Sequence, residues 1–100
     1  MYTDVSQGRY SGTKLRKANL RKTILRRANL DGASLWEANL QEATLELASL
    51  EGTDLMYTNL RNANLRGAEL LEADLEKADL WGTELLEANL EEANLLHTKT

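Results

Sequence analysis

Cysteine, proline and phenylalanine are all missing from this 100-residue chain. Without cysteine, no disulfide, zinc–thiolate site or thiol nucleophile is available. No stretch approaches the roughly 18 apolar residues that a membrane span requires. The opening residues, MYTDVSQGRYSG, lack the basic segment and apolar run of a secretory signal. We therefore expect a cytoplasmic protein with no membrane partner.

Charge is unevenly distributed along the chain. The formal net charge is only −4, but residues 1–30 contain eight Lys/Arg and one Asp. Residues 31–100 contain four Lys/Arg and fifteen Asp/Glu, so the two parts carry +7 and −11. An asymmetry of this size bears on the choice of partners and on self-association.

A large apolar residue, nearly always leucine, recurs at every fifth position from Val5 to Leu95 without an insertion. Two places before each of these centres stands Ala, Thr or Gly. A helix turns by about 140° in five residues, so helical leucines would share no face. In a plain strand they would alternate between faces. The pattern therefore predicts short extended segments, each with a small residue and a centre pointing inward, joined by regular turns.

Such segments build a coil, and stacked coils bury a leucine column that no single repeat could bury. Hydrogen bonds between coils would have the spacing of paired strands, about 4.8 Å. The number of sides stays open at this point. Gly12, Gly32 and Gly52 recur at twenty residues, which favours four sides, whereas Gly52, Gly67 and Gly82 recur at fifteen, which favours three.

The segments ANLRK, ANLDG, ANLQE, ADLEK, ADLWG and ANLEE resemble the pentapeptide-repeat family, whose consensus is A(D/N)LXX. The resemblance implies an all-β fold, a right-handed quadrilateral parallel β-helix. This solenoid would have nearly five coils of four pentapeptides and a length of roughly 24 Å. We expect degenerate N-terminal repeats that act as a cap at 1–14, the repeat β-helix at 15–97 and a C-terminal tail at 98–100.

Catalytic chemistry has little support in the sequence. His97 is the only histidine, and its neighbours Thr98 and Lys99 offer no partner for catalysis or for a metal. No glycine-rich phosphate loop and no nucleophile–base pair is visible. We expect no enzymatic activity, no cofactor and no metal site.

Apolar residues at outward positions are the best candidates for a partner surface. On a four-sided coil Trp36 and Met56 lie one above the other, with Tyr57 beside Met56 and Leu96 two coils further on. Trp81 follows Arg61 by twenty residues, a spacing that permits a cation–π contact worth about 0.5–1 kcal/mol. The alternative is incidental exposure, which is normal for single apolar residues. The predicted partner surface comprises Trp36, Met56, Tyr57, Trp81 and Leu96.

A basic patch is predicted near the N-terminus, and three interpretations of it are open. It keeps the first coils in solution, it binds an anionic partner such as nucleic acid or lipid headgroups, or it meets the acidic coils of another copy. The third would stack copies head to tail into open filaments. The patch comprises Arg16, Lys17, Arg21, Lys22, Arg26 and Arg27.

The leading functional hypothesis is a non-catalytic structural or protein-interaction module that also self-associates end to end. Some members of the family resemble a DNA duplex and bind type II topoisomerases such as gyrase, and this is the alternative that the resemblance implies. Nucleic-acid binding through the basic coils is the least favoured hypothesis. It predicts salt-sensitive binding that is lost when Arg16, Arg21, Arg26 and Arg27 are neutralised.

Overall fold

The computed structural model describes residues 3–100 and forms four-sided coils. Parallel β-bridges join each residue that precedes a centre to its counterpart twenty residues later, from Asp4–Ile24 to Asp79–Lys99. Four pentapeptides therefore complete one coil, and the fifteen-residue glycine spacing is not the coil period. Within residues 3–100 every pairing is a single bridged residue, with no longer strand and no helix. The body measures 32 × 26 × 22 Å.

Sides and coils are named as follows. Side one holds the centre Val5 and every twentieth residue after it, and sides two, three and four begin in the same way at Tyr10, Leu15 and Leu20. The two residues after each centre form the corner that carries the number of its side. Coils one to five comprise residues 3–22, 23–42, 43–62, 63–82 and 83–100.

Each corner is a tight turn closed by one hydrogen bond. The N–H of the small residue donates to the carbonyl of the preceding centre, as from Ala28 to Leu25 at 3.0 Å. The second corner residue has a φ between +58° and +73°, the sign that a type II turn requires there. Five glycines fit this conformation easily, but fourteen other residues also adopt it. Because each of these is disfavoured by roughly 1–2 kcal/mol, stacking must hold the corners in place.

The Asn or Asp that precedes most centres stabilises the next corner. Its side-chain oxygen accepts a hydrogen bond from the backbone N–H two residues later, as in Asn39 to Gln41 and Asn59 to Arg61, both at 3.0 Å. These residue types favour turns for this reason. The repeated Asn/Asp position therefore has a structural role at each corner.

The core is a column of leucines lined by small residues. Centres from Leu30 to Leu75 are at most 1 % exposed, and Ala48 and Ala63 are completely buried. Thr53 and Thr58 replace alanine without leaving a polar group unsatisfied, because their hydroxyls donate to backbone carbonyls at 2.8 Å. No buried side-chain N or O atom of the described residues lacks a partner. The core therefore continues without interruption through the middle coils.

Coil one departs from the consensus but keeps the coil geometry. Tyr10 takes the place of a leucine, and a Cβ on Gly8 would overlap its ring. The larger centre is thus accommodated by the loss of the small side chain two places earlier. Asp4, Arg9 and Lys14 still pair with coil two, and Lys99 pairs with coil four. The predicted divisions at residues 14 and 97 remain predictions.

Candidate interaction surfaces

Corner three carries the most extensive aromatic cluster. Trp36 and Met56 occupy successive places in one column and are both half-buried, while Tyr57 beside Met56 is 44 % exposed. The rings of Trp36 and Tyr57 meet edge to face, with centroids 6.0 Å apart and planes at 70°. Contacts of this kind contribute about 0.5–1.5 kcal/mol beyond the burial of the rings. Three of the five predicted surface residues are thus brought together on a rigid support.

Cations flank this cluster on both sides. The Arg16 guanidinium lies 4.6 Å from the centroid of the Trp36 ring, and the Lys17 ammonium lies 5.6 Å from it. On the far side the Lys77 ammonium lies 5.5 Å from the centroid of the Tyr57 ring. Each contact is worth about 0.5–1 kcal/mol at an exposed position. The cations therefore help to hold the two rings in place.

The other two predicted surface residues lie apart from the cluster. Trp81 is 52 % exposed at corner four, where Arg61 lies 4.9 Å from its ring centroid and 3.7 Å from Asp79. Leu96 lies at corner three but is separated from Met56 by Glu76 in the same column. The five residues therefore form one compact cluster and two outlying positions.

Corner one holds two exposed leucines that did not enter the predicted surface. Leu47 is 42 % exposed and packs over Gly67. A Cβ added to Gly67 would lie only 2.7 Å from Cδ2 of Leu47. Leu86 is 62 % exposed two coils beyond Leu47. The sequence does place both leucines at outward positions of the repeat, and this was the signal that could have identified them. Leu47 lines a shallow groove with Glu46, Arg66, Gly67 and Glu87.

The predicted basic patch does not lie on one face. Arg16 and Lys17 are at corner three, Arg21 and Lys22 at corner four, and Arg26 and Arg27 at corner one. The six side chains thus form a basic collar over three of the four corners of the first two coils. Acidic side chains of the following coil approach several of them. Nitrogen–oxygen distances are 3.9 Å for Lys17–Glu37, 3.5 Å for Arg21–Glu42 and 2.8 Å for Arg26–Glu46.

The shortest of these contacts, between Arg26 and Glu46, changes the pKa of the acid. The hydrogen bond from Arg26 lowers the pKa of the Glu46 carboxyl. A lower pKa keeps Glu46 charged and therefore maintains the pairing of charges between coils two and three. At least three residues of the basic collar, Lys17, Arg21 and Arg26, therefore approach carboxylates of the same chain.

Side two is the most acidic side. Its only cation is Arg9 in coil one, and six carboxylates follow it along the later coils. The second position of corner two is open in coils one to three, because it is glycine at 12, 32 and 52 and nothing lies within 4 Å of a Cβ built there. The carboxylates belong to Asp31, Glu51, Glu69, Glu72, Glu91 and Glu92.

Two concave features lie at opposite ends of the described residues. An apolar hollow of about 260 Å³ lies at coil one, lined in part by Val5, Tyr10, Leu15 and Leu20. His97 lines a shallow groove with Tyr57 and two lysines. Within residues 3–100, no three His, Cys, Asp or Glu side chains come together as a metal-binding group. The same residues contain no helix long and apolar enough to span a membrane.

The family model for pentapeptide repeats matches residues 11–46, 37–70 and 68–99, with eight copies of the repeat. The chain belongs to the pentapeptide-repeat family. This confirms the resemblance drawn from the A(D/N)LXX segments. No curated protein is similar enough in sequence to be counted as a relative.

Solved structures of pentapeptide-repeat proteins share the fold. A protein of the Arabidopsis thaliana thylakoid lumen is 34% identical, with a TM-score of 0.89, over 91% of this chain and 63% of its own. Rfr23 from the cyanobacterium Cyanothece 51142 is 31% identical, with a TM-score of 0.58, over 97% of this chain and 86% of its own. The present pentapeptide-repeat chain thus spans less than two thirds of the Arabidopsis protein.

QnrB1, a plasmid-mediated fluoroquinolone resistance protein, has a TM-score of 0.73 over 98% of this chain and 58% of its own. At 17% identity the similarity to QnrB1 concerns the fold alone. Together these structures confirm the right-handed quadrilateral β-helix. The thylakoid location of the Arabidopsis protein belongs to that protein, and a cytoplasmic location for this chain remains a prediction.

Proposed function

We propose that this pentapeptide-repeat protein is a non-catalytic protein-interaction module and that corner three is its partner-binding surface. The observation that carries the proposal is the pair of partly exposed rings, Trp36 and Tyr57, held 6.0 Å apart between flanking cations. Trp, Tyr and Arg are the residue types that contribute most to binding at protein interfaces. A preformed arrangement also loses little side-chain entropy on binding.

The electrostatics of corner three favour a partner that is apolar at its centre and acidic at its edge. Arg16 and Lys17 lie at the coil-one edge of the cluster, and Lys77 lies at the other edge. Apolar contacts with the rings would supply affinity, while carboxylates placed near the cations would supply orientation and association rate. The open groove that contains the exposed His97 supports a role without catalysis, because it does not enclose a substrate.

The Trp36→Ala substitution is expected to weaken partner binding without unfolding the protein. The immobilised wild-type protein is used to capture partners from a cell extract, and the purified partner is then titrated against each variant. We expect the dissociation constant to rise at least about tenfold for Trp36→Ala, because a central aromatic anchor is lost. Gln41→Ala is the matched control, since it changes the same turn position at the next corner of coil two.

Equal affinities for Trp36→Ala and Gln41→Ala would place the binding surface elsewhere on the solenoid. Far-ultraviolet circular dichroism establishes that both variants remain folded. Catalytic turnover of a substrate by the purified protein would contradict the non-catalytic role. End-to-end self-association is compatible with this role, because stacking at the coil faces leaves corner three exposed.

A second candidate function is binding to a type II topoisomerase in place of DNA, and the acidic side two favours it. Six carboxylates follow one side of the coil, and no Lys or Arg on that side comes after Arg9. The length opposes this function, since about 24 Å matches only about seven base pairs. The basic collar opposes it as well. Supercoiling by gyrase with micromolar protein added discriminates the two candidates, and only topoisomerase binding predicts inhibition.

A further inference from the structure

Corner one combines exposed leucines with charges of both signs along coils two to five. Leu47 and Leu86 are exposed, and Leu47 shares its shallow groove with the Glu46 and Arg66 side chains. Apolar side chains bordered by charged ones are typical of a surface that binds another protein. From coil two to coil five, the first corner position holds Arg26, Glu46, Arg66 and Leu86, and the second holds Arg27, Leu47, Gly67 and Glu87.

Two exposed charges of this corner have no counterpart in the part of the chain that the structure describes. Neither Arg27 nor Glu87 forms an ion pair there. Their backbones are three coils apart, about 14 Å, which is too far for a direct contact within one chain. A partner that neutralises both must bring an acid to Arg27 and a base to Glu87 at the same separation.

A second copy of this chain that runs in the opposite direction meets this requirement. We propose that two copies pair side by side through corner one, related by a two-fold axis that passes between coils three and four. Coil two of each copy then faces coil five of the other, so Arg27 meets Glu87 of the second copy. Coil three faces coil four, so Glu46 meets Arg66 of the second copy. Every contact occurs twice, as an isologous interface requires.

The apolar contact lies at the centre of this arrangement. Leu47 packs over Gly67 of its own chain, which means that its side chain leans from coil three toward the two-fold axis. The two Leu47 side chains therefore meet close to the axis, between the two pairs of Glu46 and Arg66. Their contact removes apolar surface from water, while the charges around it fix the register.

Charge favours this axis over the neighbouring positions. With the axis at coil three, Glu46 would face Glu46 of the second copy and Arg26 would face Arg66. With the axis at coil four, Arg66 would face Arg66. An axis between coils two and three would set the Arg27 guanidinium against Leu47, and parallel pairing would bring the arginines of coil two together. Like charges placed opposite each other are unfavourable, so these alternatives are weaker.

The dimer leaves the proposed partner surface free. Corner three is diagonally opposite corner one on a four-sided coil, so each copy would present it outward. The contact involves one corner of each copy, and small interfaces of this kind are weak. Association should therefore depend on protein concentration. Two linked copies of corner three would bind a multivalent partner with increased avidity, but the dimer itself does not depend on partner binding.

Charge reversal in mixed samples tests the contact. In the homodimer of Arg27→Glu, and in that of Glu87→Lys, two attractive contacts become repulsive. In an equimolar mixture, the reversed positions of the two variants meet each other and the unchanged positions also meet, so both contacts of the heterodimer are attractive. Both residue types already occur at the second corner position, as Glu37 and Lys77 show, and neither reversal is expected to unfold the protein.

Sedimentation velocity at low salt, from micromolar to millimolar protein, measures the association. We expect the wild-type chain of 11.2 kDa to exchange between monomer and dimer. Each single variant should raise the dissociation constant about fivefold or more, because two exposed ion pairs are replaced by repulsion. The mixture of the two variants should return the dissociation constant to near the wild-type value.

The matched control is Glu92→Lys, which makes the same charge change at the second position of corner two in coil five. It should leave the dissociation constant unchanged. A wild-type chain that stays monomeric at every concentration, single variants that associate like the wild type, or a mixture no tighter than its components would each overturn the proposal. Trp36→Ala should leave dimerisation unchanged, so a failure of partner binding at corner three is distinguishable from a failure of the dimer.

Discussion

Leu55→Ala is expected to lower the free energy of unfolding by about 2–5 kcal/mol. Leu55 is 1 % exposed in the middle coil, between Leu35 and Leu75 of the same column. Truncation removes buried apolar contacts and leaves a cavity that the hydrogen-bonded coils cannot easily close. In a solenoid, stability depends on the interfaces between neighbouring coils, and this change weakens the interfaces on both sides. Urea unfolding followed by circular dichroism measures the effect.

Two further substitutions test whether the loss of stability in Leu55→Ala is due to the buried cavity. Leu95→Ala changes the same column in coil five, where the leucine is already 41 % exposed, and should cause less than half the loss. Glu51→Ala changes an outward residue of the middle coil and should stay within about 0.5 kcal/mol of the wild type. Equal losses for Leu55→Ala and Glu51→Ala would contradict the inward assignment of the centres.

The fold was largely predictable because one geometric requirement repeats along the chain. Residues five apart must be equivalent, and only a coil with bends at regular intervals allows this for Leu30, Leu35 and Leu40. The small residue two places earlier then lies inside, as the complete burial of Ala28 and Ala48 confirms. Leu, Ala, Glu, Lys and Arg, which favour helices, are abundant in the chain, but burial of the leucine column outweighs this local propensity.

The number of sides was not predictable from glycine spacing, for a physical reason. Gly52, Gly67 and Gly82 all have a positive φ, but so do Glu37 and Tyr57, because every corner imposes this conformation on its second residue. A glycine therefore fits equally well at any corner, and its recurrence at fifteen residues carries no information about the coil. The resemblance to the pentapeptide-repeat family supplied the period of twenty, which the parallel bridges confirm.

The sequence predicts which outward residues lie in one column, but not which of their side chains touch. A spacing of twenty residues places Trp36 above Met56 and Arg61 above Trp81. It does not predict that Arg16 lies over the Trp36 ring, because that depends on the choice of side-chain rotamer. The six basic residues are near one another in sequence but occupy three corners, since a five-residue step moves a side chain to the next corner. Whether corner three binds a partner remains a prediction.

Asp54→Pro is expected to destabilise the protein by about 3 kcal/mol or more, chiefly through the backbone. Asp54 is the bridged residue of side three in the middle coil, and its N–H donates to the carbonyl of Ala33 at 3.0 Å. Proline removes this donor, and its ring lies where the preceding coil should pack. The Asp54 side chain also accepts the Met56 N–H at 3.0 Å. Asp54→Ala measures that smaller contribution, expected to be about 0.5–1.5 kcal/mol.

The decisive comparison is Lys14→Pro, at the same place of the repeat two coils earlier. The Lys14 N–H makes no backbone hydrogen bond to any residue from 3 to 100, so its removal leaves no backbone carbonyl of those residues unpaired. We expect Lys14→Pro to change the free energy of unfolding by less than about 1 kcal/mol. Urea denaturation of the three variants measures the contrast. If Lys14→Pro destabilises as much as Asp54→Pro, the loss is due to local strain from proline and not to hydrogen bonds between coils.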